Sequence, residues 1–392
     1  MTQSREITTP AAMRRMITAV LAPLILATIV GLVVLWPSGD RQSLDAPQRF
    51  EATIVEIVPC AESSDPECVE AEIQVDSGPD AGQAASVPLP YGSGAPHFAT
   101  GDEIVLFGLL DRPLEERYQV EDFQRSTPLA ALALIFAVAV VALSRWRGVT
   151  ALAGLALTVV VLVAFVLPAL LDGSSPLAVA VVGASTIMII TLYLGHGFTA
   201  KTSVALVGTL ASLTLTGLLG HAFTHLGQFT GLAQDAAAHL GALADHVDVR
   251  GLLLAGLVIG ALGVLDDVTV SQAATVAEIV RADPDTSRRS LFAAGLRVGR
   301  DHVAATVNTL VLAYAGASLP LLLLFTGAEV GLVDIATTEL VAQEVVRALV
   351  GGVGIVAAVP ITTAVAALAF QGGTARGRGR RALRSATSRH SD

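Results

Sequence analysis

Along most of this chain apolar residues run in long uninterrupted blocks, and in one region only they alternate with polar ones. Crossing a hydrocarbon core of about 30 Å takes about 20 helical residues. Eight blocks approach that length, at roughly 16–36, 127–143, 149–171, 176–194, 202–220, 250–280, 302–326 and 345–370. Between the first and second blocks, "RFEATIVEIV" and "CVEAEIQVDSG" alternate with period two, and "GDEIVLFGLL" follows a turn. Four or five short strands separated by Gly and Pro predict a small β-barrel or sandwich, OB-like in size. The predicted fold class is an all-α polytopic membrane helix bundle of about eight spans with a β-rich domain inserted after the first. The segments are 1–39, a tail and first anchor; 40–126, the β domain; 127–370, seven further helices; and 371–392, a basic tail.

Composition agrees with the pattern. The 392 residues are 53% hydrophobic and 15% charged, where a soluble protein carries about 25% charged. With the N-terminus inside, the inner segments hold 17 of the 24 Lys and Arg, as the positive-inside rule expects. Both termini are therefore expected in the cytoplasm and 40–126 outside. "MITAVLAPLILATIVGLVVLW" follows Arg14-Arg15 without an A-x-A site, which reads as an uncleaved anchor, with a twin-arginine leader as the alternative. Arg outnumbers Lys by 23 to 1, which suggests a GC-rich genome and a bacterial plasma membrane. The β segment has a net charge of −13 and few aromatics. Single-strand binders need a basic groove with stacking rings, so nucleic acid is excluded as a partner.

Cys60 and Cys68, the only cysteines, lie in "PCAESSDPEC" between the first two strands. Outside the membrane a disulfide is permitted and would staple the ends of a hairpin loop. Free thiols, or a metal or redox role, are the alternatives.

The chemistry worth weighing sits inside the apolar blocks, because an ionisable residue there is costly and a functional candidate by default. In "GVLDDVTVSQAATVAEI", helical spacing puts Asp267, Ser271 and Glu278 on one face and Asp266 about 100° away. The stretch reads as a half-buried or broken helix, or else as a cytoplasmic helix that leaves the membrane near Leu265. Lys201, the only lysine, opens the fifth block as a counter-ion for Asp267 or as a snorkelling boundary residue. Gly208 follows seven residues on, and the preceding "LGHGF" resembles a break between half-helices. Asp301 and Asn308 share a face in the seventh block, with Thr309 beside them and Tyr314 deeper. Glu344 and Arg347, near the start of the last block, suit a local ion pair. His221 and His225 have the i, i+4 spacing of a metal pair but suit an amphipathic interfacial helix better, so no metal is assigned.

"GHGFTAKTSVALVGTL", "LGVLDDVTVSQ" and "GRDHVAATVNTLVLAYAG", in this order, resemble the YibE/F family of bacterial multi-spanning membrane proteins over about 127–370. The matching positions are Gly197, Lys201 and Thr202; Gly263, Asp267 and Ser271; and Gly299, Asp301, Asn308, Thr309 and Tyr314. Asp266 departs from the family pattern, which has an apolar residue there, so the resemblance favours Asp267 as the functional acid. It implies architecture and candidate residues, and no substrate.

No Walker motif, H-E-x-x-H or Gly-x-Gly-Asp context is present, so ATP hydrolysis, a zincin and an intramembrane aspartyl protease are set aside. The chain is read as no enzyme and as needing no cofactor. Carboxylates, Asn and hydroxyls in Gly-rich spans are the apparatus of ion- or proton-coupled secondary transport. A non-transporting scaffold or sensor, with the acidic domain as receiver, is the alternative. Expected partners are the lipid bilayer, a small solute or ion, and a further copy of the chain.

Overall fold

A computed structural model of the protein describes residues 11–37, 48–60, 68–92, 94–233, 238, 240–242, 246–327 and 331–370. The chain divides into two compact units, Gln42–Gly148 and the remainder.

The smaller unit is built on five antiparallel strands, β1 (Gln48–Pro59), β2 (Val69–Val75), β3 (Ala84–Pro88), β4 (Glu103–Gly108) and β5 (Tyr118–Phe123), in the order β3-β2-β1-β4-β5. The long β1 serves two partners. Its first half, Gln48 to Thr53, pairs with β4, and Ala52 to Pro59 pairs with β2. Alternation does the sorting: Ala71, Ile73 and Val75 of β2 turn inward while Glu72 and Gln74 turn out. The inward residues meet Phe50, Ile54, Val87, Ile104, Leu106 and Tyr118 in one core. Phe50 is flanked by glycines, because a Cβ at Gly78 or Gly108 would lie 2.3 or 2.2 Å from its ring. Cys60 and Cys68 are disulfide-bonded at the loop end of β1 and β2, with Cα atoms 5.5 Å apart. The short α2 (Leu114–Arg117) precedes β5, and α3 (Ser126–Ser144) follows it with no buried residue.

The larger unit is helical: α1 (Ala11–Val34), α4 (Trp146–Val161, its first turn counted with the smaller unit), α5 (Leu167–Leu171), α6 (Pro176–His196), α7 (Ala200–Leu226), α8 (Val249–Ala282), α9 (Arg288–Ala317), α10 (Leu319–Gly327), α11 (Leu332–Thr337) and α12 (Glu339–Phe370). A π-helical turn, Leu162–Val166, joins α4 to α5. The ends are written in the sequence. Thr199, Asp248 and Ser287 cap α7, α8 and α9 by accepting from the backbone N–H of Thr202, Gly251 and Ser290. Gly197, at φ +71°, ends α6. "LGHGF" is therefore a tight joint between two whole helices, and the expected break between half-helices is corrected. α7, α8 and α12 pack against one another, α9 lies against α8 and α12, and α6 lies against α7 and α8.

Among the described residues seven helices are long and apolar enough to cross a membrane, not eight. The exception is the block at 302–326. Its helix starts earlier, at Arg288, so charged residues dilute it, and it stops at Ala317 before a separate α10. Residues 288–301, outside the apolar block, are helical. α8 is also corrected: it runs unbroken through Asp266 and Asp267 for 34 residues, about 51 Å at 1.5 Å per residue. The tail at 371–392 lies outside the described residues.

Candidate functional site

The polar centre of the helical unit is carried by α8. Its buried stripe runs through Leu254, Val258, Leu265, Val268, Thr269, Gln272 and Val276, the i, i+3/i+4 spacing of one helix face. Two polar residues on that stripe bind neighbours. Thr269 and Thr209 of α7, both fully buried, place their hydroxyl oxygens 2.5 Å apart. Gln272 is the hub: its Nε2 donates to the Gly295 carbonyl of α9 at 2.8 Å and to Thr363 Oγ1 of α12 at 2.7 Å. Thr363 in turn donates to its own helix at Val359 O. Gly295 and Gly299 open the space for this amide. A Cβ on Gly299 would lie 2.4 Å from Val359 Cγ1 and 2.8 Å from Gln272 Oε1. One amide thus ties three helices together.

The adjacent acids leave α8 in different directions. Asp266 is half-buried, and its Oδ1 is sealed from solvent with no hydrogen-bond partner. Asp267 is exposed, on a side of α8 that also exposes Gly256, Gly260 and Gly263. Space beside Gly256 and Gly263 is open, with nothing within 4 Å of where a Cβ would stand. One turn beyond Asp267, Ser271 donates to Val268 O and lies 3.4 Å from His302 Nε2 of α9. The burial of the two acids reverses the expectation from the helical wheel. The acid with an enclosed oxygen is Asp266, because the packed stripe of α8 lies nearer its side than that of Asp267.

Among the described residues no ion pair or side-chain hydrogen bond joins Asp267 to Lys201, Ser271, Asp301 or Asn308. Asp301, Asn308 and Thr309 are exposed on the outward side of α9, and Thr309 gives its hydroxyl to Ala305 O. Lys201 stands in the first turn of α7, while Thr209, eight residues on, marks the level of Thr269. That offset is about 12 Å along the axis. Of the remaining glycines, Gly208 is buried against Thr362 and Gly299 against Gln272, whereas Gly263 faces open space. His221 and His225 touch edge to face at 4.4 Å, and among the described residues no group of three His, Cys, Asp or Glu could hold a metal. Glu344 and Arg347 form the local ion pair at 2.6 Å.

Sequence reasoning passed over Gln272, Thr209, Thr269, Thr363 and His302. The available signal was Gly295-x-x-x-Gly299 opposite a lone Gln, since small residues let a neighbouring polar side chain come close. A family model for YibE/F-like protein matches residues 132–372. No curated protein and no solved structure matches the chain.

Proposed function

The chain belongs to the YibE/F-like family, and from that premise we propose that it is an ion- or proton-coupled secondary permease of a bacterial plasma membrane. The β domain is read as OB-like and extracytoplasmic. One observation carries the reading: Asp266 holds a carboxylate oxygen that neither protein nor solvent satisfies, inside a long apolar helix. Such an oxygen is expensive unless a proton or cation completes it, and taking up and releasing that partner is what coupling requires. Asp267, one residue on and open, offers the exchange point, with Ser271 one turn away and His302 of α9 3.4 Å from that serine.

Proteoliposomes loaded with a pH-sensitive dye test this, with inorganic ions and a soluble metabolite extract supplied in turn. Wild-type protein moves protons with at least one of them. Asp266→Asn loses that flux, while Asp267→Asn slows it. Absence of flux with every addition would favour the scaffold or sensor reading instead. A cleft of about 620 Å³ in the β domain, lined by Ile57, Val69, Leu89, Tyr91, His97 and Phe98, gives that second reading a receiving surface.

A further inference from the structure

Arg347 of α12 is half-buried, with 22% of its side chain exposed, and it belongs to a helix otherwise dominated by apolar residues. Its guanidinium carbon lies 6.0 Å from the centroid of the Tyr314 ring of α9. Its Nη1 donates to Glu344 Oε1 at 2.6 Å. An arginine has five N–H donors in a rigid fork, and here Glu344 takes from one nitrogen only. The remaining donors are not sealed in. Among the described residues the buried, unpaired side-chain atoms are Arg250 Nε, Asp266 Oδ1 and Thr362 Oγ1, none of them on Arg347.

The Tyr314 hydroxyl turns toward α8, 3.6 Å from where a Cβ on Gly260 would stand. Gly256 and Gly263, four residues before and three after, expose the same side of α8 with open space above them. At this level three helices therefore present a guanidinium with donors to spare, a phenol hydroxyl over Gly260 and, on either side of it at Gly256 and Gly263, helix surface with open space. We propose that Arg347 and Tyr314 form a subsite for an anionic oxygen group, a phosphoryl or carboxylate, seated against the Tyr314 hydroxyl beside Gly260. Arg recognises such groups through parallel N–H···O bonds. The group belongs either to a free solute or to the headgroup of an anionic lipid, since both present the same oxygens. Glu344 opposes it electrostatically and so limits its affinity. The subsite goes beyond the permease reading and is measured as binding alone, so flux and binding can fail separately.

The test uses the full chain in an uncharged detergent, titrated with inorganic phosphate and followed by thermal unfolding. Phosphate raises the unfolding temperature of the wild type saturably. Arg347→Gln weakens the response about tenfold or more, as loss of a charged donor should. Tyr314→Phe weakens it less. Gly260→Leu blocks it while leaving the ion pair intact, and Glu344→Gln strengthens it. A second arm compares vesicles of phosphatidylcholine with vesicles containing phosphatidylglycerol. If free phosphate is inert but phosphatidylglycerol is retained by the wild type and lost in Arg347→Gln and Gly260→Leu, the lipid is the source and the subsite stands. A response equal in wild type and both variants, or none in either arm, overturns it. Arg347→Lys, which keeps the charge but not the fork, guards against a folding defect: it retains the phosphate-free unfolding temperature and binds more weakly.

Discussion

Asp80 receives two donors in the β domain, Tyr118 Oη at 2.7 Å and Arg117 Nη1 at 2.5 Å, and is itself buried. The Tyr118 hydrogen bond, and then that of Arg117, hold its carboxyl below the usual range. Burial, and then Asp80, push the Tyr118 phenol up to about 12. The two shifts act on opposite limbs of the stability curve. The folded value of Asp80 lies below the unfolded one, so its contribution is complete above about pH 4 and is lost as acid titrates through the folded value. Tyr118 has a raised value, so its contribution is complete below about pH 10 and is lost as pH climbs toward 12. Tyr118→Phe should lower stability at neutral pH by about 1 kcal/mol, one buried hydrogen bond, remove the alkaline limb and also weaken the acid limb, because Asp80 loses its first donor. Asp80→Asn should flatten the acid limb. Proteolytic susceptibility of residues 48–123 in the intact protein, measured against pH, checks both, and parallel curves for wild type and variants would contradict the assignment. Neither Asp80 nor Gln272 stood out in the sequence, because their value comes from partners far along the chain. Asp80 meets Tyr118 across the fold, and Gln272 meets Thr363 from a helix that starts 57 residues after α8 ends.

Helix pairing shows the same division between what is local and what is not. α7 and α12 cross by exchanging glycines and threonines. A Cβ at Gly208 would lie 2.2 Å from Thr362 Oγ1, and one at Gly354 would lie 2.2 Å from Thr216 Oγ1. Each helix thus offers a Gly and, eight residues later, a Thr, and the antiparallel pairing brings each Gly under the other helix's Thr. Gly208→Ala should overpack this seam and lower stability by about 1–3 kcal/mol. Thr362→Ala alone removes a hydroxyl that has no partner and should be mild. Combining the two should recover much of the loss, since only Thr362 Cβ at 3.1 Å then opposes the new methyl. A double-mutant cycle from unfolding in detergent measures the coupling, and simple additivity would mean that the seam can spread at no penalty. Hydropathy made these helices legible because each one's apolar length is a property of its own sequence. The strands β1, β2 and β4 were legible for the same reason, their period of two. The inward turn of Asp266 and the outward turn of Asn308 were not. A wheel gives angles between residues on one helix but not the direction from which its neighbours pack.

At the scale of the molecule, seven apolar helices and a basic excess at both ends pull in different directions. An odd number of crossings would put the termini on opposite sides, whereas the charge pattern asks for both inside. We propose that α9 removes the conflict. It is too polar to be counted among the seven, with Arg297, Arg300 and Asp301 in its middle. Yet it begins at the Gln272 end of α8, where Gly295 takes the amide, and finishes at the opposite end, where Tyr314 approaches Gly260. Along α12 it runs from Val359 beside Gly299 to Arg347 beside Tyr314. It therefore travels antiparallel to both α8 and α12, and its 30 residues reach about 45 Å. A helix that returns the length of two membrane-length neighbours is expected to make an eighth crossing, even though composition hides it. Single-cysteine labelling decides the point. Asp285→Cys, at the corner between α8 and α9, should react with an impermeant reagent only once the cytoplasmic side is opened. Ser318→Cys, just past α9, and Gly101→Cys in the β domain should react from outside intact cells. If Asp285→Cys and Ser318→Cys react from the same side, α9 does not cross, the crossings number seven, and the two basic tails lie on opposite faces of the membrane.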